Sequence, residues 1–460
     1  MIPNIAYEKD PNATVIWPVT LADYDAWLAT RSGEEQSWLN ATGFEAKDGS
    51  FALLPGAGGT IDAVVLGLGD GNSIWSFGDL SGALPAGSYY LDDDLAANIA
   101  TDAVVAWSLG SYVFDQYKDD DRTFAVLVAP SNADIDYATA TVNGANLARD
   151  LINTPAADMA PGDLAEAASE LARKHGGKCQ TLVGDELLME NFPAIHAVGR
   201  ASINYPRLID LTWGDSEAPK VTLVGKGVCF DTGGLDLKPS AAMLKMKKDM
   251  GGAATVLGIA EMVMATKLPV RLRVLIPAVE NSVSGAAYRP GDILQTRKGL
   301  TVEVGNTDAE GRIVLCDALA EADFEIPDLL IDMATLTGAA RVALGTDLPA
   351  LFTDDDDLAA AFAHQGKDLD DPLWRLPLYT PYRELLNSKI ADINNVSEGA
   401  FGGAITAALY LKEFVSRTKS WAHIDTYGWN DKARPGRPTG GHPLAMRSVY
   451  GLIKDRYGAN

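Results

Sequence analysis

The segment "KVTLVGKGVCFDTGG", residues 220–234, decides which fold class this sequence encodes. Its apolar run over 220–230 predicts a strand buried on both faces, and the aspartate and two glycines that follow indicate a turn. Further apolar runs predict strands over 269–281 and 328–336. A helix is predicted over 250–267, between the strands 220–230 and 269–281. Apolar strands separated by helices are typical of a mostly parallel sheet covered on both faces, so we expect an α/β fold.

The amino-terminal part of the chain shows the same alternation of strands and helices. Apolar runs over 62–70 and 124–131 predict two short buried strands, and the segment between them has apolar residues at helical spacing. A chain of 460 residues is too long for one hydrophobic core, so we expect two domains. The predicted organisation is a smaller α/β domain over 1–140, a linking helix and turn over 141–160, and a larger α/β domain over 161–460.

Composition and charge limit the partners and the compartment that we expect. The formal net charge of −24 argues against a nucleic-acid partner, because phosphate binding relies on clusters of lysine and arginine. No run of about 18 apolar residues predicts a membrane span, and the first residues lack the pattern of a secretory signal. Cys179, Cys229 and Cys316 have no paired spacing, which indicates thiols in a reducing compartment. We therefore expect a cytoplasmic protein with no membrane partner.

Charged residues mark the carboxyl end of the predicted strand 220–230, where ligands bind in open parallel sheets. Asp231 ends this strand, and Lys226 lies five residues earlier. Taken alone, Lys226 is better explained as a salt-bridge partner of Asp231. Asp249 immediately precedes the predicted helix, where a carboxylate is also a favourable cap, so a purely structural role for Asp249 stays open.

The segment "NTDAEGR", residues 306–312, contributes two more acids. An extended backbone would direct Asp308 and Glu310 to the same face, because side chains alternate with period two. The alternative is a solvated acidic turn, which is common in a chain with 62 Asp and Glu residues.

Convergence of these four carboxylates would require cations among them, because like charges a few Å apart raise each other's pKa. The ligand set is almost entirely oxygen, which suits Mg²⁺ or Mn²⁺, with Zn²⁺ as a further candidate. The five histidines are scattered and none lies in these segments, which excludes a zinc site of the HExxH type. The residues predict a carboxylate-rich site for divalent cations if the three segments meet.

Four motifs occur in a characteristic order: "VGKGVCFDTGGLDLKPS", "MKKDMGGAAT", "NTDAEGR" and "ATLTGA". Segments such as "RDLINTPAADMAP", "SKIADINN" and "WAHIDTYGW" accompany them, and together they extend over about residues 108–440. In order and spacing, these motifs resemble those of the leucyl aminopeptidase family, the M17 metallopeptidases.

The resemblance implies two adjacent divalent metal ions in each subunit. Asp231 and Glu310 would contact both ions, Asp249 and the amine of Lys226 would complete one site, and Asp308 would complete the other. A lysine can act as a ligand only as the neutral amine, which requires a pKa strongly lowered by burial and by the nearby dications. The expected metals are zinc or manganese, with magnesium and cobalt as alternatives.

The resemblance also implies roles in catalysis and substrate binding. Lys238 would stabilise the oxyanion of the tetrahedral intermediate, and Arg312 would hold a bicarbonate ion that acts as general base. An ion pair with Glu310 is the competing explanation for Arg312. The implied substrate-binding residues are Met246, Asn306, Thr335, Leu336 and Gly338.

The expected activity is removal of the N-terminal residue from peptides that have a free N-terminus. The family resemblance further implies a homohexamer, with a smaller N-terminal domain that is an α/β sandwich related to the macro domain. Two alternatives come from other functional classes. One is a hexameric scaffold or regulatory binding protein with secondary peptidase activity. The other is a two-metal hydrolase of phosphate esters, which is weakened because the chain has no GxxxxGK[ST] phosphate loop.

Overall fold

The chain divides into two units, the first containing residues 1–146 and 431–439 and the second containing 147–430 and 440–460. Both contain mixed α/β structure. The computed structural model describes residues 2–8, 10–71, 73–92 and 95–458. Within these residues, no helix is both long and apolar enough to cross a membrane.

The first unit is built on a six-stranded sheet that is parallel except at one edge. In spatial order its strands are Ile5–Ala6, Val126–Val128, Ser88–Leu91, Thr14–Val19, Ile61–Gly67 and Phe51–Pro55. Only the last strand pairs antiparallel with its neighbour. The associated helices are Tyr24–Leu28, Gly33–Thr42, Leu80–Ala83 and Ala97–Gly110, with 3-10 turns at Ala57–Gly59 and Ile74–Phe77. The sequence predicted two of these strands, which the structure places at Ile61–Gly67 and Val126–Val128.

The segment 431–439 belongs to the first unit although it is almost three hundred residues away in sequence. The Arg437 guanidinium carbon lies 4.3 Å from the centroid of the buried Trp75 ring. Gly436 has φ +66°, and a Cβ at this position would come within 2.6 Å of the same ring. A side chain at Gly436 is therefore excluded both by backbone conformation and by space.

The second unit is built on a nine-stranded sheet whose central strands are parallel and whose two sides include antiparallel pairs. In spatial order, eight strands are Trp374–Arg375, Ala350–Phe352, Trp421–Asp425, Leu329–Ala334, Lys220–Gly225, Arg271–Asn281, Arg207–Trp213 and Lys178–Val183. The ninth, Gly227–Asp231, pairs parallel with the carboxyl-terminal part of Arg271–Asn281. This arrangement confirms the predicted α/β class with mostly parallel strands.

The predicted single strand over 220–230 is wrong in one respect, because it is interrupted at Lys226. Its two halves, Lys220–Gly225 and Gly227–Asp231, pair with successive parts of Arg271–Asn281. At the break, the Lys226 N–H donates to the carbonyl of Met333 over 3.0 Å. A local break of this kind leaves the apolar pattern unchanged, so hydrophobicity alone could not locate it.

The described part of the second unit contains ten helices, and the helix Ile135–Asn153 includes residues of both units. The ten helices are Pro161–Lys174, Glu186–Met189, Pro193–Gly199, Ser240–Met243, Gly251–Ala265, Glu310–Phe324, Gly338–Leu344, Asp356–Asp368, Gly403–Lys412 and Met446–Tyr457. The 3-10 helices are Met246–Met250 and Thr380–Leu386, and the minor strands are Ile293–Gln295, Thr301–Glu303, Ile393–Asn394, Trp429–Asn430 and Gly440–Gly441. Helices Gly251–Ala265 and Glu310–Phe324 pack on the central strands and bury most of their residues.

Candidate metal centre

Four acidic side chains meet at the carboxyl end of the central strands. Asp231 ends the strand Gly227–Asp231, as predicted, and is 2% exposed. Asp249 lies in the 3-10 helix Met246–Met250, which leads directly into the helix Gly251–Ala265. Its side chain accepts a hydrogen bond from Thr335 Oγ1 over 2.7 Å, so Asp249 is held at the site by an interaction outside its own helix.

The expected extended backbone at residues 306–312 is wrong. Residues 306–309 form a turn in which Asp308 N–H donates to Asn306 Oδ1 over 2.7 Å, and Glu310 is the first residue of the helix Glu310–Phe324. Asp308 and Glu310 nevertheless reach the same site, because the turn and the helix start direct both side chains inward. One carboxylate oxygen from each of these two residues and one from Asp231 all lie within 4.8 Å of one another.

Two lysines alternate with the four carboxylates in a network of ion pairs. Lys226 Nζ lies 2.7 Å from Asp249 Oδ2 and 2.8 Å from Glu310 Oε1. Lys238 Nζ lies 2.8 Å from Asp231 Oδ2 and 2.5 Å from Asp308 Oδ1. Two ammonium groups cannot balance four carboxylates, so the charged cluster retains a formal excess of negative charge.

The donor set fits divalent cations. Asp249 Oδ2, Asp308 Oδ1 and Glu310 Oε1 are buried, and each lies within 2.8 Å of a lysine ammonium. A carboxylate oxygen has two lone pairs, so one contact with an ammonium group leaves a lone pair for a cation. Buried carboxylate oxygens of this kind are the ligands that hard cations prefer.

Burial and mutual repulsion of the acids raise the pKa values of two carboxyl groups in the cluster. Burial raises the pKa of Asp231 to about 6, and the neighbouring Asp249 carboxylate adds to the shift. Burial and the Asp231 carboxylate likewise raise the pKa of Glu310 well above its usual range. A dication among these oxygens would reverse this effect, because it favours the ionised form of every carboxyl group around it.

The charges around Lys226 favour its protonated form. Burial by itself would lower its pKa, but the carboxylates of Asp249, Glu310 and Asp231 outweigh burial and raise the pKa above the usual lysine value. Ligation by the neutral amine would therefore require the incoming cations to displace the ammonium proton. The sequence suggested Asp231 as the ion-pair partner of Lys226, but its ion pairs are with Asp249 and Glu310.

A cavity of about 390 Å³ opens onto the carboxylates. Four of the five residues implied in substrate binding line it: Met246, Thr335, Leu336 and Gly338. Lys238 also borders the cavity, with 13% of its side chain exposed. Burial alone would lower the pKa of Lys238, but the Asp231 carboxylate reverses this and raises it, so the lysine is a cation facing the cavity.

Arg312 and Asn306 are not among the residues that line this cavity. Arg312 is 8% exposed, and its Nη1 donates to the carbonyl of Asn395 over 2.7 Å. Among the described residues, its Nε has no acceptor and its guanidinium forms no ion pair with Glu310. Asn306 uses its side-chain oxygen to close the turn that carries Asp308.

Three supporting residues were not predicted. Asn281 Nδ2 donates to Asp231 Oδ1 over 2.8 Å, and Asn395 Nδ2 donates to the carbonyl of Asn306 over 2.7 Å. Asp425 accepts hydrogen bonds from the Leu336 backbone and from Thr337. Asn281 and Asp425 each end a strand of the sheet, so the rule that selected Asp231 could have found them.

Comparison with known proteins agrees with this architecture. Residues 146–449 match the model of the cytosol aminopeptidase family catalytic domain, and residues 15–130 match the M17 aminopeptidase N-terminal domain. The chain is 43% identical over 366 residues to a probable cytosol aminopeptidase of Roseiflexus castenholzii, which covers 75% of this chain and 74% of that protein.

Two solved structures are similar over nearly the whole chain. The cytosol aminopeptidase from Coxiella burnetii is 48% identical, with a TM-score of 0.94 and coverage of 98% of this chain and 99% of the other. The bottromycin maturation enzyme BotP, solved in complex with Mn, is 34% identical, with a TM-score of 0.86 and coverage of 96% and 99%.

The fold and the carboxylate-rich site define a metal-dependent hydrolase. The chain belongs to the cytosol aminopeptidase family, M17, and is a metal-dependent aminopeptidase. The family resemblance, the two-domain α/β architecture and the enzyme class expected from the sequence are thereby confirmed.

Proposed function

We propose that this aminopeptidase holds two divalent cations in each subunit, with Lys226, Asp231, Asp249, Asp308 and Glu310 as ligands. The observation that carries the proposal is the alternation of four carboxylates with two ammonium groups, which leaves carboxylate lone pairs for cations. Three of these side chains are buried, and Asp308 is partly exposed. Zinc or manganese are the proposed metals, with magnesium and cobalt as alternatives, and manganese is present in the similar BotP structure. When bound, such cations lower the pKa of a water molecule and polarise the scissile carbonyl.

Lys238 is the proposed oxyanion-stabilising residue. Its ammonium borders the cavity while its ion pairs with Asp231 and Asp308 fix its position. A cation that is already oriented stabilises developing negative charge without reorganising during the reaction.

Arg312 is the proposed binding residue for a bicarbonate-like anion, which would supply a general base. The support is its buried Nε, a donor with no acceptor among the described residues. Burial lowers the pKa of Arg312 only from a very high starting value, and arginine stays protonated in proteins. Its planar guanidinium suits a bidentate anion.

The proposed substrates are peptides with a free N-terminus. Met246, Thr335, Leu336 and Gly338 are the proposed cavity contacts, and Asn306 supports the site through the turn that it closes. The resemblance to the family also supports a cytoplasmic homohexamer built through the larger domains. Light scattering measures the mass of the protein in solution, and a homohexamer should have six times the mass of one chain.

The central experiment is metal removal followed by titration. Chelator-treated protein should lose hydrolysis of leucine p-nitroanilide and regain it with about two equivalents of Zn²⁺ or Mn²⁺ per chain. Elemental analysis of the reloaded protein measures the number of metal ions bound per chain. The same measurement is made on an Asp231→Asn variant, with Asp357→Asn at an exposed position as the matched control. Full activity in protein shown to be metal-free would refute the proposal.

A further inference from the structure

The cavity at the metal centre has a second, strongly basic part. Besides the proposed ligands and Lys238, its lining includes Lys245, Lys248, Arg341, Asp425 and Tyr427. Arg341 lies in the helix Gly338–Leu344 and is exposed. These basic residues line the same cavity as the proposed substrate-binding residues.

An aromatic ring supports two of these cations. Lys248 Nζ lies 4.3 Å from the centroid of the Tyr427 ring, and the guanidinium carbon of Arg341 lies 5.7 Å from it. Lys248 is buried and donates to the Tyr427 carbonyl over 2.7 Å, so one of its hydrogen bonds is directed to the protein. The ring therefore steadies Arg341 by a cation–π contact while leaving its N–H groups available.

No acid in the cavity neutralises Arg341. The four acids of the metal centre pair with Lys226 and Lys238. Asp425 accepts hydrogen bonds from Leu336 N–H over 2.9 Å and from Thr337 Oγ1 over 2.6 Å. Among the described residues, Arg341 forms no ion pair with any carboxylate. Its charge is therefore presented to whatever enters the cavity.

We propose that Arg341 binds a carboxylate of the peptide substrate and makes the enzyme selective for substrates that present a carboxylate to this part of the cavity. This inference rests on the proposed function, because it assigns the substrate class of the same site. A guanidinium offers two parallel donors that match a carboxylate. Met246 lines the same cavity, and its flexible thioether can pack against the methylene groups that carry such a carboxylate.

Two parts of a peptide can supply this carboxylate. One is the side chain of an N-terminal glutamate or aspartate, and the other is the C-terminal carboxylate of a dipeptide. Glutamate and glutamine p-nitroanilides test the side chain as the source, because glutamine has a neutral amide in place of the side-chain carboxylate. Neither substrate has a C-terminal carboxylate. The dipeptide Leu-Ala and its C-terminal amide separate out the second source.

The test compares wild-type protein with Arg341→Met, both loaded with Mn²⁺, and uses ratios of kcat/KM. The acid-to-amide ratio for at least one substrate pair should exceed one in wild type and fall about fivefold in Arg341→Met, as expected for a partly exposed ion pair. Rising salt should reduce the wild-type ratio, because exposed charges are screened. Arg341→Glu should invert the ratio. Arg289→Met, which removes an exposed arginine outside the cavity, should leave it unchanged.

A binding measurement gives a readout that does not need turnover. By calorimetry, wild type should bind the product L-glutamate more tightly than L-glutamine if the side chain is the source, and Arg341→Met should remove the difference. Identical ratios in wild type and Arg341→Met for both substrate pairs would overturn the inference while leaving the proposed function intact. Failure of loaded wild type to hydrolyse leucine p-nitroanilide as well would refute the proposed function, and the inference with it.

Discussion

Lys226 Nζ and Glu310 Oε1 form an ion pair of 2.8 Å in which the two side chains are only 3% and 2% exposed. The same ammonium lies 2.7 Å from Asp249 Oδ2, so one cation separates two buried anions. Removing one partner of a buried pair leaves the remaining charges without compensation, which typically costs about 3–5 kcal/mol. Lys226 thus stabilises the metal-free protein in addition to its proposed role as a ligand.

We predict that Lys226→Met lowers the free energy of unfolding of the metal-free protein by about 3 kcal/mol. The measurement is urea denaturation in the presence of a chelator. Adding Glu310→Gln to this variant should restore part of the loss, because it removes one of the two repelling carboxylates. Strict additivity in the double-mutant cycle would show that the two side chains do not interact.

A second prediction concerns Gly311, which follows Glu310 in the helix Glu310–Phe324. A Cβ on Gly311 would come within 2.5 Å of Lys226 Cε and 2.7 Å of its Nζ. Gly311→Ala should therefore push the ammonium away from its two carboxylates and lower kcat by more than about tenfold. Alanine favours a helix over glycine, so the protein should remain folded.

The matched control is Gly33→Ala, at the first residue of the helix Gly33–Thr42, where an added Cβ meets no atom within 4 Å. Both substitutions add the same methyl group to a helical glycine, but only one should change the metal centre. Elemental analysis provides an independent readout. An active Gly311→Ala enzyme with full metal content would contradict the prediction.

The position of a site residue can be predicted from the sequence where a local pattern determines it. Asp231 was placed correctly because an apolar run ended by two glycines predicts both the strand and the edge at which it stops. Asp308 and Glu310 were expected at the same site for the wrong reason, since a turn followed by a helix start also brings two side chains together. The turn depends on Asn395, which is distant in sequence, so no local pattern could indicate it.

The position of Arg312 also depends on a residue that is distant in sequence. Its spacing from Glu310 made an ion pair reasonable, but burial against the carbonyl of Asn395 directs the guanidinium elsewhere. The break at Lys226 has no signal in the apolar pattern, and the two glycines beside it are closely packed. A Cβ at Gly225 would lie 2.6 Å from Ala253 Cα, and one at Gly227 would lie 2.7 Å from Ile276 Cγ2. Such contacts are properties of the folded protein and leave the periodicity of the sequence unaltered.

A third prediction follows from the contacts of Asn395. Its Oδ1 accepts Gly305 N–H over 2.7 Å, and its Nδ2 donates to the carbonyls of Asn306 and Ala309. Asn395→Asp replaces the donor with an acceptor and places a buried charge beside two carbonyl oxygens. We expect a loss of about 3 kcal/mol in the free energy of unfolding and weaker metal binding.

Thermal denaturation and metal titration measure these two effects. The control is Asn40→Asp, which makes the same chemical change at an exposed helix position. Unchanged metal affinity in a destabilised Asn395→Asp protein would separate this turn from the metal centre and contradict the prediction.

The fourth prediction concerns the pH dependence of folding stability, which we attribute to a buried histidine–aspartate pair on two strands of the sheet. His423 Nδ1 lies 2.5 Å from Asp332 Oδ1, and both side chains are almost completely buried. Burial alone would lower the pKa of His423, but the Asp332 carboxylate outweighs it and raises the pKa above 6.5. The folded state then binds the proton more tightly than the unfolded state does. This contribution to stability is complete below about pH 6.5 and is lost as the pH rises through the folded-state pKa.

His423→Gln should therefore destabilise the protein more at about pH 6 than at about pH 9, measured by urea unfolding with a chelator present. Asp332→Asn should flatten the pH dependence in the same way, because it removes the cause of the raised pKa. The surface histidine His364, substituted by glutamine, is the control. An effect of His423→Gln that is constant across this range, or larger at high pH, would disprove the assignment.

The segment 431–439 has a practical consequence for work on this enzyme. The chain passes from one unit to the other three times, at residues 146, 430 and 439, so no single cut separates the two units. A fragment that ends at residue 146 would leave Trp75 without the Arg437 side chain that covers its ring. Exchange of the amino-terminal unit between relatives therefore has to include the nine residues of this segment, or the transplanted part will carry an uncovered aromatic surface that favours aggregation.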